Sequence, residues 1–417
     1  MYRLLYFQEG SYLKNTNSDI YYSVNIFFPA YRNLQKHIFK KNREPLMSRK
    51  IRVGILGLGR AGRTMHAPEL GLFPDFYEIT AGCDHAPDRL ENLPEGFENA
   101  KLYSKYEDML ADPELDLINI ATRNFDHTPH ALMALEAGKA VVIEKPFAMT
   151  EEQGKQLLEA SKKYPGRIFL RSNRRFEPVF IQIMEIVKSG ILGKLSMIKL
   201  HRHPGFVRRF DWQTLTEFHG GLFNNWGPHY VDQALKLLQS PVKDVWCNLG
   251  HSVSGGDADD EIKLILTGEN GCLADIEIST SLTLPDRIYE LRGNRGTLVL
   301  PLSEEYLHLK YLDPEIRFER LDGIRENFVL KFGNPYEKLS FIEEKRPVIT
   351  DYSDILPEGS SPGDDLRFTF PAMWYHIYQS LVNGIPYPVT VEEGFEVVKV
   401  MERAHKAAGF KPSVLEY

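Results

Sequence analysis

Residues 50–62 read Lys50-Ile-Arg-Val-Gly-Ile-Leu-Gly57-Leu-Gly59-Arg60-Ala61-Gly62. Ile51, Val53, Ile55 and Leu56 form a short apolar run, which predicts a strand over Lys50–Leu56. The G-x-G-x-x-G that follows is a weak signal alone. Placed directly after a strand, opening a helix and inside a βαβ unit, it reads as a dinucleotide-binding turn. Gly57 permits the tight turn, Gly59 lets the backbone approach a pyrophosphate, and Gly62 lets helix and strand pack closely. The pyrophosphate then meets the helix N-terminus around Arg60 and Ala61, where free N–H groups and the helix dipole favour an anion. Asp84 ends a second strand, Tyr77–Cys83, 22 residues beyond Gly62. That is the position of the acidic residue that holds the ribose hydroxyls. A carboxylate there repels a 2′-phosphate, so the expected cofactor is NAD, with NADP less favoured; the neighbouring Arg89 keeps NADP open.

Working outward, strands at Leu115–Ala121, Ala140–Ile143 and Arg167–Leu170 alternate with helices. Thr128-Pro129 predicts an N-cap with proline at the first helical position, and Gly138 the stop. Thr150-Glu-Glu-Gln153 predicts a capping box opening a helix through Ala160. This alternation implies a parallel sheet covered on both faces, an α/β Rossmann domain over residues 47–173. Beyond Asn173 the pattern changes. A helix at Pro178–Ser189 precedes strand-like runs at Leu195–His203, Glu261–Thr267, Leu273–Ser279, Ile288–Arg292 and Thr297–Leu300. Runs of strands predict an α+β domain with a largely antiparallel open-faced sheet over residues 174–417. Leu302–Asp365 reads as surface loops, and Phe370–Val382 and Val391–Ala408 as closing helices. Alternation at Ile262, Leu264 and Leu266 predicts a packed face without saying what covers it.

Composition narrows the function. The net charge of −7 argues against nucleic acid as a partner. No apolar run is long enough to span a membrane. Cys83, Cys247 and Cys272 form no C-x-x-C pair and no metal spacing, which fits reduced thiols in a cytoplasmic protein. Residues 1–46 are unlike the rest: six Tyr, four Phe and five Asn, one Gly, one Ala, and a charge of +4. They carry neither periodicity nor the order of a secretory signal. The expectation is an extension outside the fold, disordered or a partner-binding arm, with Met47 a natural start.

Further signatures resemble a family. Ala121-Thr122, His127, Ala137-Gly-Lys-Ala-Val-Val-Ile-Glu144-Lys145-Pro146 and Gly220-Gly-Leu-Phe-Asn-Asn225-Trp-Gly-Pro-His229-Tyr-Val-Asp232 are similar to the glucose–fructose oxidoreductase/inositol dehydrogenase/rhizopine-catabolism family. Asp259-Asp260 and Gly293–Gly296 also fit. The resemblance covers roughly residues 50–409. It implies an oxidoreductase acting on a secondary hydroxyl of a sugar, inositol or sugar derivative, and a homodimer or homotetramer. Thr122, His127, Glu144 and Lys145 fall beside the cofactor, with a capping or surface role the alternative for His127. Lys145, Arg174, Asn225 and His229 fall on the substrate.

In that reading His229 accepts the hydroxyl proton, as suits a side chain that titrates near neutrality. Lys145 stabilises the developing oxyanion, and a nearby oxidised nicotinamide lowers its pKa. Glu144-Lys145-Pro146 ends a parallel strand, where such sheets bind ligands. Pro146 moves Lys145 off the helical region. The family's usual aspartate four residues before the histidine is Asn225 here, which hydrogen-bonds but cannot balance a charge. Either Asn225 positions substrate while His229 works, or dehydrogenation is weakened. Asp232, one helical turn on from His229, either orients the imidazole or faces solvent. Arg174 or Arg175 either binds substrate or forms an ion pair. Phe206 and Trp212 either offer a wall for a sugar ring or pack in the core, the default for aromatics. His201, His203 and His219 lack acidic or thiol companions at close spacing, so no metal is expected. Two alternatives stand beside the dehydrogenase: an NAD-dependent glycosidase that recycles its cofactor, and a non-enzymatic dinucleotide or sugar sensor.

Overall fold

The computed structural model describes residues 49–284, 287–318, 336, 338–348 and 372–412. The extension expected over 1–46 lies outside the described residues, as does part of the stretch read as loops before Asp365.

The first sheet has six parallel strands: β1 (Ile51–Leu56), β2 (Tyr77–Cys83), β3 (Lys101–Tyr103), β4 (Leu117–Ile120), β5 (Ala140–Ile143) and β6 (Ile168–Leu170). Their order is β3-β2-β1-β4-β5-β6. The direction of winding reverses between β1 and β4, which opens a crevice at the strands' carboxyl ends. Val53, Ile55, Leu117, Ile118, Ile120 and Val141–Ile143 are fully buried, as helices on both faces require. Those helices are α1 (Ala67–Gly71), α2 (Tyr106–Leu110), α3 (His127–Glu136) and α4 (Glu151–Lys163). A π-helical turn, Gly62–His66, leads into α1.

Two capping expectations change. Thr128 is not an N-cap: α3 begins one residue earlier, and Thr128 lies buried within it, its hydroxyl donating to Phe147 O at 3.1 Å. Thr150 does cap α4, accepting from Gln153 N at 3.2 Å, but the Gln153 side chain accepts from Met149 N at 2.9 Å rather than from Thr150 N.

The second sheet has eight strands: β7 (Leu195–Arg202), β8 (Val242–Gly250), β9 (Glu261–Gly268), β10 (Leu273–Ser279), β11 (Arg287–Gly293), β12 (Gly296–Pro301), β13 (Tyr306–Leu312) and β14 (Phe341–Pro347). The order is β14-β13-β12-β11-β7-β10-β9-β8, antiparallel except where β7 meets β10. The α/β-then-α+β expectation therefore holds, with β3, β8, β13 and β14 added. Helices α5 (Pro178–Lys188), α6 (Leu222–Leu238), α7 (Ala372–Asn383) and α8 (Val391–Ala408) complete the chain. Val179, Ile183, Val231, Ala234, Val397 and Val400 pack with Ile198, Leu200, Ile262, Leu264, Leu266, Ala274, Ile276 and Leu291 in one core. The chain's own helices thus cover the Ile262–Leu266 face. Helix α8 also packs against α4 and α6, and Trp374 of α7 donates to Glu69 Oε2 at 2.8 Å.

Candidate active site

The glycine turn is shaped for a dinucleotide. Gly57 sits at φ 93°, and a Cβ there would lie 2.6 Å from Ala121 O. A Cβ on Gly62 would lie 2.2 Å from Gly57 O. At Gly59 the nearest group a Cβ would meet is the Arg89 guanidinium, at 3.8 Å, so backbone is open to a ligand there. Asp84 is buried at the end of β2. Its carboxylate accepts from Leu58 N at 2.9 Å and Ala86 N at 3.0 Å, and Arg89 Nη1 lies 3.3 Å away. Arg60 is exposed and Ala61 partly buried beside this opening. The residues present fit a dinucleotide.

Across the crevice, β5 ends in Glu144 and Lys145, and the Lys145–Pro146 peptide is cis. Glu144 Oε2 accepts from Lys145 N at 2.8 Å, while its Oε1 faces His66 Nε2 at 2.9 Å and Arg171 Nε at 3.2 Å. Arg171, fully buried, makes a two-pronged contact with Glu69 at 2.6 and 2.8 Å. His66 Nδ1 meets Asn119 Nδ2 at 2.5 Å. Burial opposes ionisation of Glu144, but Arg171 and His66 outweigh it and hold the carboxyl well below its ordinary range. This charged network beneath Lys145 was missed from sequence. Its members come from β4, the ends of β5 and β6 and the first helical segment, and only the fold assembles them.

The third part of the site is the start of α6. Gly220 and Gly221 bend the chain there. A Cβ on Gly220 would lie 2.6 Å from Gln213 O, and Gly221 has φ 103° with Asp259 Oδ1 at 2.2 Å from its missing Cβ. Asp259 fixes the first turn through its carbonyl, which accepts from Leu222 N at 2.8 Å, and its carboxylate, which accepts from Phe223 N at 2.7 Å. Asp260 holds the preceding loop, accepting from Ser252 N, Val253 N and Ser254 N at 2.7, 2.8 and 2.6 Å.

Thus fixed, α6 delivers Asn225 to Lys145. The ammonium donates to Asn225 Oδ1 at 2.7 Å and to Asn225 O at 2.9 Å, while Asn225 Nδ2 donates to Gln213 Oε1 at 3.3 Å. His229, buried one turn further on, packs edge-on to Trp226 with ring centroids 5.9 Å apart. Burial lowers the Lys145 pKa to about 8; Glu144 opposes the shift, and Arg171, Arg209 and Arg174 add to it. Burial, then Lys145 and Arg174, hold His229 well below the ordinary imidazole range. The site thus pairs a neutral imidazole, a potential base, with a cationic hydrogen-bond donor.

Other expected residues divide. Arg175 forms the ion pair: it holds Asp232 at 2.5 and 2.7 Å and Glu393 at 2.5 Å. Asp232 therefore neither orients His229 nor faces solvent. Arg174 pairs with Glu177 and lies over Trp226, 4.5 Å from the ring centroid. His127 is buried, its nitrogens 2.8 Å from Pro146 O and 3.2 Å from Thr122 O, so it braces the two loops around the crevice. The Thr122 hydroxyl meets His130 Nδ1 at 3.2 Å. His203 pairs with Glu277 at 3.2 Å, and His219 stacks on Phe125 with centroids 5.0 Å apart. Trp212 is partly buried and Phe206 largely exposed.

Residues 51–171 match the oxidoreductase family with an NAD-binding Rossmann fold, and residues 180–299 match the GFO/IDH/MocA C-terminal domain. An uncharacterized oxidoreductase of Schizosaccharomyces pombe, C26H5.09c, is 30% identical over 193 residues, 46% of this chain and 52% of that protein. The chain thus spans about half the length of that relative. The scyllo-inositol 2-dehydrogenase (NADP(+)) IolW of Bacillus subtilis is 25% identical over 380 residues, 88% of this chain and 96% of that protein. The crystal structure of an NAD-binding protein from Listeria innocua superposes with a TM-score of 0.68 at 26% identity, over 87% of this chain and 95% of that one. The first matched segment carries the glycine turn and Lys145, the second Asn225 and His229, and the chain belongs to the Gfo/Idh/MocA oxidoreductase family.

Proposed function

We propose that this chain is an NAD-dependent oxidoreductase acting on a secondary hydroxyl of a sugar, inositol or sugar derivative. In this reading residues 47–173 hold the cofactor and 174–417 the substrate. The observation that carries it is the convergence of Lys145, Asn225 and His229 at the carboxyl end of β5, across from the glycine turn. The inositol dehydrogenase IolW, matched over most of its length, supports the substrate class. When bound, the nicotinamide cofactor supplies the hydride acceptor. His229 removes the hydroxyl proton, which its neutral form at physiological pH permits. Lys145 donates to the same oxygen as negative charge develops. Asn225 fixes the direction of the ammonium and, through Gln213, its own amide plane.

Asp84 supports NAD ahead of NADP because a carboxylate at the end of β2 repels a 2′-phosphate. Among the described residues no helix is long and apolar enough to cross a membrane, and a cytoplasmic location is part of the proposal. So is a homodimer or homotetramer formed through the sheet face opposite the helices, supported by Trp246, 56% exposed and paired with Ile265 across that face. Asn225 in place of aspartate favours a second reading, a cofactor-recycling glycosidase or a sensor. The test is incubation with NAD or NADP and a panel of inositols, aldoses and uronic acids, following reduced cofactor, beside His229→Ala. Loss of a general base lowers turnover by about 10²–10⁴-fold. Undiminished turnover in the variant removes His229 from the mechanism, and sugar cleavage without net reduced cofactor selects the glycosidase.

A further inference from the structure

Two consecutive asparagines in the first turn of α6 have different partners. Asn225 meets Lys145, and Asn224, buried, meets α8. The Asn224 carboxamide has one consistent orientation. Its Nδ2 donates to Gly220 O at 3.0 Å and to His219 O at 3.2 Å, so its Oδ1 is the atom 2.8 Å from His405 Nε2. An amide oxygen only accepts, so His405 carries a proton on Nε2. Burial lowers the His405 pKa, which keeps the ring neutral with that one proton to give. His405 lies in the last turn of α8, edge-on to Phe223 with ring centroids 5.0 Å apart.

The carbonyls that Asn224 holds belong to the bend leading into α6. His219 sits there in the left-handed region at φ 52°, where a residue with a side chain stays only if its surroundings hold it. From the NAD-binding side, Asn124 in the loop after β4 donates to the same His219 O at 3.0 Å, and Phe125 stacks on the His219 ring. Asn224 and His405 also line the small cavity behind Pro146–Met149, the segment that follows Lys145. One amide thereby connects a side chain on α8 to both chain segments that carry the Lys145–Asn225 pair.

We infer that His405 is a positioning residue for the active site. Its N–H fixes the Asn224 amide, the amide holds the His219–Gly220 bend, and the bend sets where Asn225 meets the Lys145 ammonium. The catalytic consequence rests on the dehydrogenase reading; the placement of Lys145 does not.

The test acetylates the lysines of the full-length protein, free of cofactor and substrate, with acetic anhydride and reads each site by peptide mass spectrometry. His405→Phe keeps a ring against Phe223 and removes the donor; His405→Gln keeps a donor. Lys145 is expected to react about five-fold faster in His405→Phe, the order one lost hydrogen bond supplies, and near the parent rate in His405→Gln. Lys139, buried and donating to Asp112 O and Leu115 O, reports global loosening and should not change. In turnover with NAD, His405→Phe should lose about ten-fold in kcat with cofactor affinity unchanged. An unchanged Lys145 rate in His405→Phe overturns the inference. So does a rate raised equally in both variants, which makes the contact one of packing. Asn224→Asp breaks the chain at its next link, and a rise at Lys139 both there and in His405→Phe makes the role structural and overturns the inference too. Faster reaction of Lys145 in His405→Phe, with no oxidation of any sugar by the parent, keeps the positioning role and removes the dehydrogenase. Oxidation by the parent that is undiminished in His405→Phe does the reverse.

Discussion

Lys145 Nζ lies 2.7 Å from Asn225 Oδ1, so the ammonium at the heart of the site leans on a neutral amide, at the position where the family resemblance leads one to expect a carboxylate. A carboxylate at that distance would favour the charged lysine; an amide leaves burial in control, and the pKa falls to about 8. Oxidation that needs neutral His229 and charged Lys145 should therefore show kcat/KM falling above about pH 8 and staying level down to well below pH 6.5. Asn225→Asp should raise the alkaline limb by about one to three units. The check is the pH profile of both proteins, and an unmoved limb in the variant would remove Lys145 as its origin.

Beneath that pair, Arg171 touches both Glu69 and Glu144, the one cation among the described residues to do so. Arg171→Met leaves two largely buried carboxylates without their partner and should destabilise the protein by about 3–5 kcal/mol. Glu144 is now held below its unfolded pKa, so it stabilises the fold above that value and loses this contribution as pH falls through the folded one. Removing Arg171 raises the folded pKa, and acid unfolding should move to higher pH. Denaturant melts at neutral and acidic pH test both, and a variant as stable as the parent would show that the network does not hold Lys145 in place.

Gly221 ties the substrate side of the site to its backbone. At φ 103°, with Asp259 Oδ1 2.2 Å from where a Cβ would be, alanine is both strained and obstructed. Gly221→Ala should displace the first turn of α6, and with it Asn225 and His229. Turnover should drop about 10²-fold from a small misplacement while cofactor affinity changes little. Equal losses in cofactor binding would point instead to global unfolding.

The parts legible in the sequence are those written in local patterns. The strand–glycine turn–helix unit, Asp84 and the Val391–Ala408 helix all announce themselves within a few residues. Strand β8 hid because its pairing register shifts between Val242 and Asp244, which breaks the period-two alternation. Strand β14 is an edge, Phe-Ile-Glu-Glu-Lys-Arg-Pro, mostly exposed and without an apolar face. The same limit governs the site. Lys145 and His229 sit in dense motifs, whereas Glu69, Arg171 and Trp374 meet across more than 100 residues of chain. Asp232 was one helical turn from His229, yet Arg175, 57 residues away, claims it.

In the proposed reading, cofactor choice turns on Asp84 and Arg89, 3.3 Å apart. Asp84 is spent partly on Leu58 N and Ala86 N, so it shapes the turn as well as repelling a phosphate. Arg89 reaches over Gly59 and is the group that would hold a 2′-phosphate. The parent should prefer NAD. Arg89→Ala should widen that preference about ten-fold, by removing the cation that accommodates NADP. Asp84→Ser should weaken NAD and narrow the preference by about ten- to a hundred-fold, because the like-charge penalty on the phosphate disappears. Dissociation constants for both cofactors, by quenching of tryptophan fluorescence, give the ratio directly. A parent that binds NADP more tightly would make Arg89 the dominant partner of the pair, and Asp84 chiefly the brace of the glycine turn.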